Sequence, residues 1–233
     1  MLAAMRRDLH SVRERDPAAR SLLEIAFCYS GVHAVWGHRV SHWLWQQDLK
    51  FAARAFCGLA RWLTGVEIHP AAVLGARLFI DHASGVVIGE TAEVGDDVTI
   101  YQGVTLGGTS LNHEKRHPTI GDRVTIGAGA KVLGPITIGD DSRIGANSVV
   151  VKSVPPNSVV VGVPGQIISR SRPQLDAERP DLESAFMPDL LGSSLQSLLA
   201  RVDQLETQVQ GSASQRDARP SETGVWSGED FSI

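Results

Sequence analysis

A period of six residues runs through the middle of the chain and limits what it can fold into. Ile88, Val94, Ile100 and Leu106 stand six apart, and so do Ile120, Ile126, Val132, Ile138, Ile144 and Val150. Glycine directly follows many of these positions (Gly89, Gly95, Gly107, Gly121, Gly127, Gly139, Gly145), and small or β-branched residues often stand four places on, as at Ala92, Val98, Ala130, Ser142 and Ser148. An amphipathic helix would repeat near 3.6 and a half-buried strand at two, so neither accounts for the pattern. Each hexad is instead a short strand plus a corner, and three close one triangular coil, with the aliphatic side chain inside and glycine supplying the corner torsions. A narrow aliphatic column has no room for rings, and between Val66 and Gly165 only Phe79 and Tyr101 remain of the Phe, Tyr and Trp residues.

The sequence thereby divides into three zones and reads as an α+β solenoid. Residues 1–65 carry Trp36, Trp43, Trp45 and Trp62, with apolar residues at helical spacing such as Leu22, Ile25, Ala26 and Tyr29, and form an N-terminal helical domain. Residues 66–168 form the parallel β-helix of hexapeptide repeats. Residues 169–233 hold a polar linker, a short coiled coil and a flexible tail. In that zone Leu191, Leu195, Leu198, Val202, Leu205 and Val209 alternate spacings of four and three, the seam of a short three-stranded coil over 188–210. From Gln210 to Gly228 the composition is that of a disordered tether.

Composition narrows the partners. With 233 residues, 42% of them hydrophobic, the chain can bury a sizeable core, and a formal net charge of −4 provides no broad basic field for nucleic acid or an anionic membrane. The opening MLAAMRRDLHSVRERD is too charged for a signal peptide, and no apolar run approaches the roughly 18 residues of a membrane span, so a cytoplasmic location is expected. Cys28 and Cys57 have no metal-type spacing and read as small core residues.

The period breaks twice. Ile88 follows Ile80 by eight residues, so Asp81-His82-Ala83-Ser84-Gly85 should bulge from a coil. Ile120 follows Leu106 by fourteen, two more than two hexads, and the polar run 110–118 should project as a loop. Function gathers at such irregularities on a rigid scaffold, and with His69 these two segments hold four of the eight histidines. His82 is a candidate general base for a hydroxyl nucleophile that is weak at neutral pH. His38 and His42, in the Trp-rich helices, read as satisfied structural histidines.

The runs Glu67-Ile-His-Pro-Ala-Ala72, Ile80-Asp-His-Ala-Ser-Gly-Val-Val-Ile-Gly-Glu-Thr-Ala92, Val104-Thr-Leu-Gly-Gly-Thr109, Arg116-His-Pro118 and Val161-Gly-Val-Pro-Gly165 resemble the serine acetyltransferase family of cysteine biosynthesis, and Arg15-Asp-Pro-Ala18 and Ser41-His-Trp-Leu-Trp45 are similar to its helical segment. The resemblance covers roughly residues 8–168. It implies a left-handed β-helix and the transfer of acetyl from acetyl-CoA to the hydroxyl of L-serine, without a metal. His82 would be the base, with Glu67, where many members carry aspartate, steadying its second ring nitrogen. The resemblance further implies Asp16 and Asp81 for the serine ammonium, Arg116 for its carboxylate and His117 beside them. Asp16 before Pro17 is equally an ordinary N-cap at a helix start. An extended pantetheine arm could approach the backbone at Gly107, Gly108, Ala128 and Ala146, with Lys131 and Lys152 as phosphate contacts; corner packing alone would also demand the small residues. Prism geometry and site pieces on separate bulges lead us to expect a homotrimer with sites between neighbours. The resemblance also implies that a C-terminal isoleucine, here Ile233 with Asp230, Phe231 and Ser232, enters the active site of O-acetylserine sulfhydrylase, the cysteine synthase. Three alternatives stay open: another hexapeptide-repeat O-acetyltransferase with a different small acceptor, a zinc enzyme of the carbonic anhydrase type using His69, His82 and His117, and a scaffold without activity that binds a partner.

Overall fold

The computed structural model describes residues 2–170 and 190–212. They belong to two compact units, Met1–Met187 and Pro188–Ile233, and each is described by itself. The first unit opens with four helices, α1 (Leu2–Arg15), α2 (Leu22–Cys28), α3 (Ser30–Gln46) and α4 (Lys50–Thr64). Local chemistry sets their ends. Pro17 follows α1, and Ser21 caps α2 by accepting the Glu24 amide at 3.1 Å. Gly65 closes α4 in the left-handed region, φ 73°, with its amide returned to the Arg61 carbonyl at 2.8 Å.

Beyond Gly65 the chain winds as a β-helix of very short parallel strands on three sheets. In register, Ile68, Ile88, Leu106, Val132 and Val150 stack on the first sheet. Leu74, Val94, Ile120, Ile138 and Val154 stack on the second. Ile80, Ile100, Ile126, Ile144 and Val160 stack on the third, which ends in an antiparallel strand, Gln166–Arg170. All of these stacked residues are buried except Leu74, which is partly so. Ala72, Ala92, Val98, Val124, Ala130, Ser142 and Ser148, four places beyond the aliphatic positions, fill the inside of the corners. The helices share this core, because Ala34 and Val35 of α3 join the same buried cluster as Val66, Ile68, Leu78 and Ile80.

Two expectations are corrected. The glycines that follow the aliphatic positions do not supply the corner torsions. Left-handed backbone occurs instead at Arg77, Asp97, Arg123, Asp141 and Asn157 along the edge between the second and third sheets, and at Gly65, Ala83, Gly85, Gly103, Gly129 and Asn147 along the edge between the third and first. Gly95, Gly121, Gly127 and Gly139 are there for closeness: a Cβ on any of them would overlap atoms of the next coil. The fourteen-residue gap, too, is a single hexad step carrying an insertion. Leu106 lies on the first sheet and Ile120, fourteen residues later, on the very next one, paired beside Val94, so the loop is longer than the period alone suggested. Of the cysteines, Cys57 is buried and donates its thiol to the Ile68 carbonyl at 3.1 Å, but Cys28 is exposed.

In the second unit α5 (Leu190–Ser212) covers the heptad segment, and Leu198, Val202 and Leu205 of the seam are more than 45% exposed in the single chain. Asp230, Phe231, Ser232 and Ile233, the expected docking residues, lie outside the described residues. No helix among the described residues is long and apolar enough to cross a membrane.

Candidate active site on two edges of the prism

The eight-residue step after Ile80 places His82 on the edge between the third and first sheets. His82 and Ala83 both adopt left-handed torsions, φ 56° and 58°. Ala83 points inward and is 1% exposed, whereas the His82 side chain stands 72% exposed with its Nε2 3.8 Å from Asp81 Oδ2. Asp81 Oδ1 accepts the His82 amide at 2.9 Å, and half-burial together with the nearby Asp16 carboxylate holds the Asp81 pKa above the ordinary range.

Asp16 reaches this edge because Arg15 fastens the end of α1 to the prism. The guanidinium is buried, donates to the carbonyls of Asp97 at 3.2 Å and Val98 at 3.3 Å and to Thr99 Oγ1 at 3.1 Å, and lies over the Phe79 ring at 5.4 Å. Burial lowers its pKa to about 10, which leaves it a cation at neutral pH. Asp16 does not cap a helix start, since α1 ends at Arg15 and Ser21 caps α2; its Oδ1 instead accepts the Ala18 amide at 2.8 Å in the turn after α1, while Oδ2 accepts the Tyr29 hydroxyl at 2.5 Å. Both tyrosines of the chain, Tyr29 and Tyr101, feel Asp16 and Asp81, and with burial these carboxylates push both phenols up. The edge thus gathers Asp16, Asp81 and His82 as expected. Tyr29 was missed, since a contact between an α2 cap and a residue thirteen places earlier leaves no periodic signal.

Arg116 and His117 end the inserted loop on another edge, between the first and second sheets. The turn Gly89-Glu90-Thr91 holds them. Arg116 is ion-paired with Glu90, and Lys115 Nζ donates to the Thr91 carbonyl at 2.7 Å. The Thr91 hydroxyl oxygen accepts the amides of Arg116 and His117, each at 3.0 Å. His117 is 8% exposed, its ring occupies the space left by the missing side chain of Gly89, and burial and Arg116 lower its pKa. His69 approaches from the coil below, its Nδ1 accepting the Ala71 amide at 3.0 Å and its ring edge-on to Trp45 at 5.2 Å; burial and Arg54 lower its pKa to about 4.

The remaining candidates distribute between these edges. Ala128 and Ala146 lie above His82 on its edge, where the Asn147 amide reaches the Ala128 carbonyl at 2.8 Å, and Gly107 and Gly108 lead into the loop that carries Arg116. Glu67, on the first sheet, pairs with Arg61 Nη1 at 2.8 Å, and no hydrogen bond joins it to His82 within the chain. Lys131 Nζ donates to the Gly103 carbonyl, and Lys152 is exposed. His38 and His42 are satisfied structural residues, bonded to the carbonyls of Ala72 at 3.1 Å and Pro70 at 2.7 Å. His69 and His117 share one edge while His82 stands on another, and among the described residues no group of three or more His, Cys, Asp or Glu side chains is placed to hold a metal ion.

Known proteins resemble this chain in sequence and in fold. The bacterial transferase hexapeptide model (six repeats) matches residues 117–152. A serine acetyltransferase of Mycobacterium tuberculosis is 64% identical over 233 residues, covering all of both chains. A crystal structure of Neisseria gonorrhoeae serine acetyltransferase in complex with serine superposes with a TM-score of 0.70 at 44% identity, over 72% of this chain and 69% of that one. A serine acetyltransferase of Brucella abortus in complex with coenzyme A does so with a TM-score of 0.72 at 46% identity, over 73% of this chain and 68% of that one. Likeness of 64% over the full length, carried on a left-handed β-helix, makes this chain a member of the serine acetyltransferase family.

Proposed function

We propose that the chain transfers acetyl from acetyl-CoA to the hydroxyl of L-serine at sites completed between neighbouring copies of itself. One observation carries the reading: the groups suited to the two ends of serine are divided between two edges of one chain. Asp16 and Asp81 beside His82 suit an ammonium, whereas Arg116 suits a carboxylate. These edges flank the first sheet, about five extended residues or roughly 15 Å apart, too far for one serine to touch both. A threefold assembly brings one edge of each prism against another edge of its neighbour.

In this reading His82 Nε2 accepts the hydroxyl proton as the serine oxygen attacks the thioester carbonyl. The C–S bond then breaks, and the imidazolium returns the proton to the departing thiolate of CoA. Glu67 steadies the imidazolium once it leaves Arg61, and since the Arg61 side chain is 64% exposed, that pair holds it by no more than about 1 kcal/mol. Arg116, oriented by Glu90, keeps further guanidinium donors for the carboxylate. Ala128 and Ala146 on the base's edge, with Gly107 and Gly108 of the neighbour, let the pantetheine arm lie close to backbone, while Lys131 and Lys152 serve the phosphates. The exposed seam of α5 forms a short parallel three-stranded coil, in keeping with a trimer. The tail Asp230–Ile233 docks into O-acetylserine sulfhydrylase, as the family resemblance implies, and with acetyl-CoA as donor we place the reaction in the cytoplasm.

Subunit mixing tests the shared site. His82→Ala and Arg116→Ala chains, each of low activity alone, should regain thiol release from acetyl-CoA with serine when unfolded and refolded together. Random assembly restores about a quarter of the sites. No recovery in proven mixed oligomers would place the whole site within one chain.

A further inference from the structure

We propose that Thr91 is a positioning residue that holds His117 as its neutral Nε2–H tautomer, so that the ring offers serine a fixed hydrogen-bond donor and no charge. The proposal rests on the function proposed above and on the place beside the serine-binding residues that the family resemblance implies for His117.

The hydrogen-bond valences around the ring determine the tautomer. The Thr91 backbone N–H lies 3.2 Å from His117 Nδ1, and an amide can only donate, so Nδ1 carries a lone pair and the ring proton sits on Nε2. The Thr91 hydroxyl agrees. Its oxygen already accepts the Arg116 and His117 amides at 3.0 Å each, so its own hydrogen is directed to Nδ1 at 2.9 Å. All of the hydroxyl's hydrogen-bonding capacity is spent on the segment 116–117. A cationic ring would need a proton on Nδ1, where two donors already point.

The surroundings act in the same direction. Arg116 and Lys115 face the ring from its own loop, Glu90 from the turn below and His69 from the previous coil. Glu90, the one carboxylate among them, is engaged by Arg116, and His69 keeps its own Nδ1 on the Ala71 amide. Gly89 and Gly108 leave the space in which Nε2 lies, and among the described residues Nε2–H has no hydrogen-bond partner. A nearly buried donor held in one orientation with its hydrogen unused is suited to a substrate oxygen. A hydroxyl is the one group that can donate to Nδ1 while accepting two amides, which sets threonine or serine apart from other side chains of this size.

The test uses the full-length protein with 15N-labelled histidine, the His117 signal being identified by its loss in His117→Gln. The wild type should show the Nε2–H pattern and protonate at lower pH than an ordinary histidine. Thr91→Val keeps the backbone amide on Nδ1 but removes the shorter-range hydroxyl donor and the acceptor that holds the 116–117 amides, so it should shift the tautomer ratio toward Nδ1–H, let the ring protonate at higher pH, and lower kcat/KM for serine on the order of tenfold or more. Thr91→Ser should restore both. A wild-type ring protonated on Nδ1, or an unchanged ring pattern in Thr91→Val, overturns the proposal whatever happens to turnover. A changed pattern with unchanged kcat/KM overturns instead the placement of His117 at the substrate.

Discussion

Asp16→Asn separates a substrate-binding carboxylate from one that only shapes the turn after α1, because the two roles predict opposite outcomes. The substitution is nearly isosteric, and the amide oxygen can still accept the Ala18 N–H that Oδ1 accepts at 2.8 Å, so the turn after α1 survives. What disappears is a negative charge close enough to Asp81 to help raise its pKa. Without substrate that charge is a liability, and its removal should leave the thermal midpoint unchanged or slightly higher. With serine bound, a carboxylate about 4 Å from an ammonium contributes about 4 kcal/mol at an effective dielectric of 20. The edge is open to water on one side, so half or less of that is expected, a rise in KM for serine of about tenfold to thirtyfold. KM for acetyl-CoA should not move. Steady-state thiol release over a serine series, with a thermal melt of the same sample, measures both. A lower midpoint with an unchanged KM for serine would refute the reasoning and leave Asp16 as a turn residue alone.

Three further outcomes follow from the same geometry. His82→Ala should lower kcat by about 10²-fold or more with assembly intact, and Glu67→Gln by less; thiol-release rates beside light scattering check this. His38 is buried with its pKa lowered to about 3, by desolvation first and then by His42. Its unfolded form takes up a proton below about pH 6.5 and its folded form does not, so stability has no contribution from it above that pH and falls by up to about 1.4 kcal/mol per pH unit from there toward pH 3. His38→Asn should flatten that acid limb in urea melts at stepped pH. Ile126→Ala opens a void in the middle of the third stack, where the side chain is fully buried, and should cost about 2–5 kcal/mol in urea unfolding.

The prism was legible in the sequence because its repeat is its geometry: one aliphatic residue per hexad points inward, so Ile88 or Ile144 marks its own place on a face. The His82 bulge was legible for the same reason, as a break in that count. Counting by six could not tell a fourteen-residue gap of two hexads with a small excess from one hexad with a long insertion, since either leaves Ile120 pointing inward, and only its pairing beside Val94 decides. The corner torsions at Arg77, Asp97, Arg123 and Asp141 were hidden because their side chains work outside the prism, in the ion pairs Arg77 to Asp97 at 2.5 Å and Arg123 to Asp141 at 2.7 Å. Thr91 and Tyr29 were invisible on other grounds. Each acts through one hydroxyl on residues distant in the chain, and that partnership exists only after the coils have stacked, for Thr91, or the first helices have packed, for Tyr29.

The candidate base owes its exposure to the same column that gives the fold its rigidity. Two consecutive non-glycine residues in the left-handed region cost on the order of 1–3 kcal/mol each, and a bulge of that kind would relax if it were loose. It is held by Ala83 and Val86, both buried in the aliphatic column, by the Gly85 amide on the Gly65 carbonyl at 3.0 Å, and by the Ser84 carbonyl, which accepts the Gly103 amide at 2.9 Å. With Ala83 drawn inward and its neighbours tied to the coils above and below, the two residues added to the hexad have no way to go but out, and His82 is the side chain they carry into solvent. On the other edge the inserted loop is far longer and cannot be held by packing of that kind. There the Thr91 hydroxyl and the Glu90 carboxylate hold its last two site residues by polar bonds, and Gly89 makes room for the ring. One half of the site is therefore set by hydrophobic packing and the other by hydrogen bonding. Cooling should weaken the hydrophobic packing under His82, whereas acid and salt should act first on the Arg116 edge through its Glu90 pair.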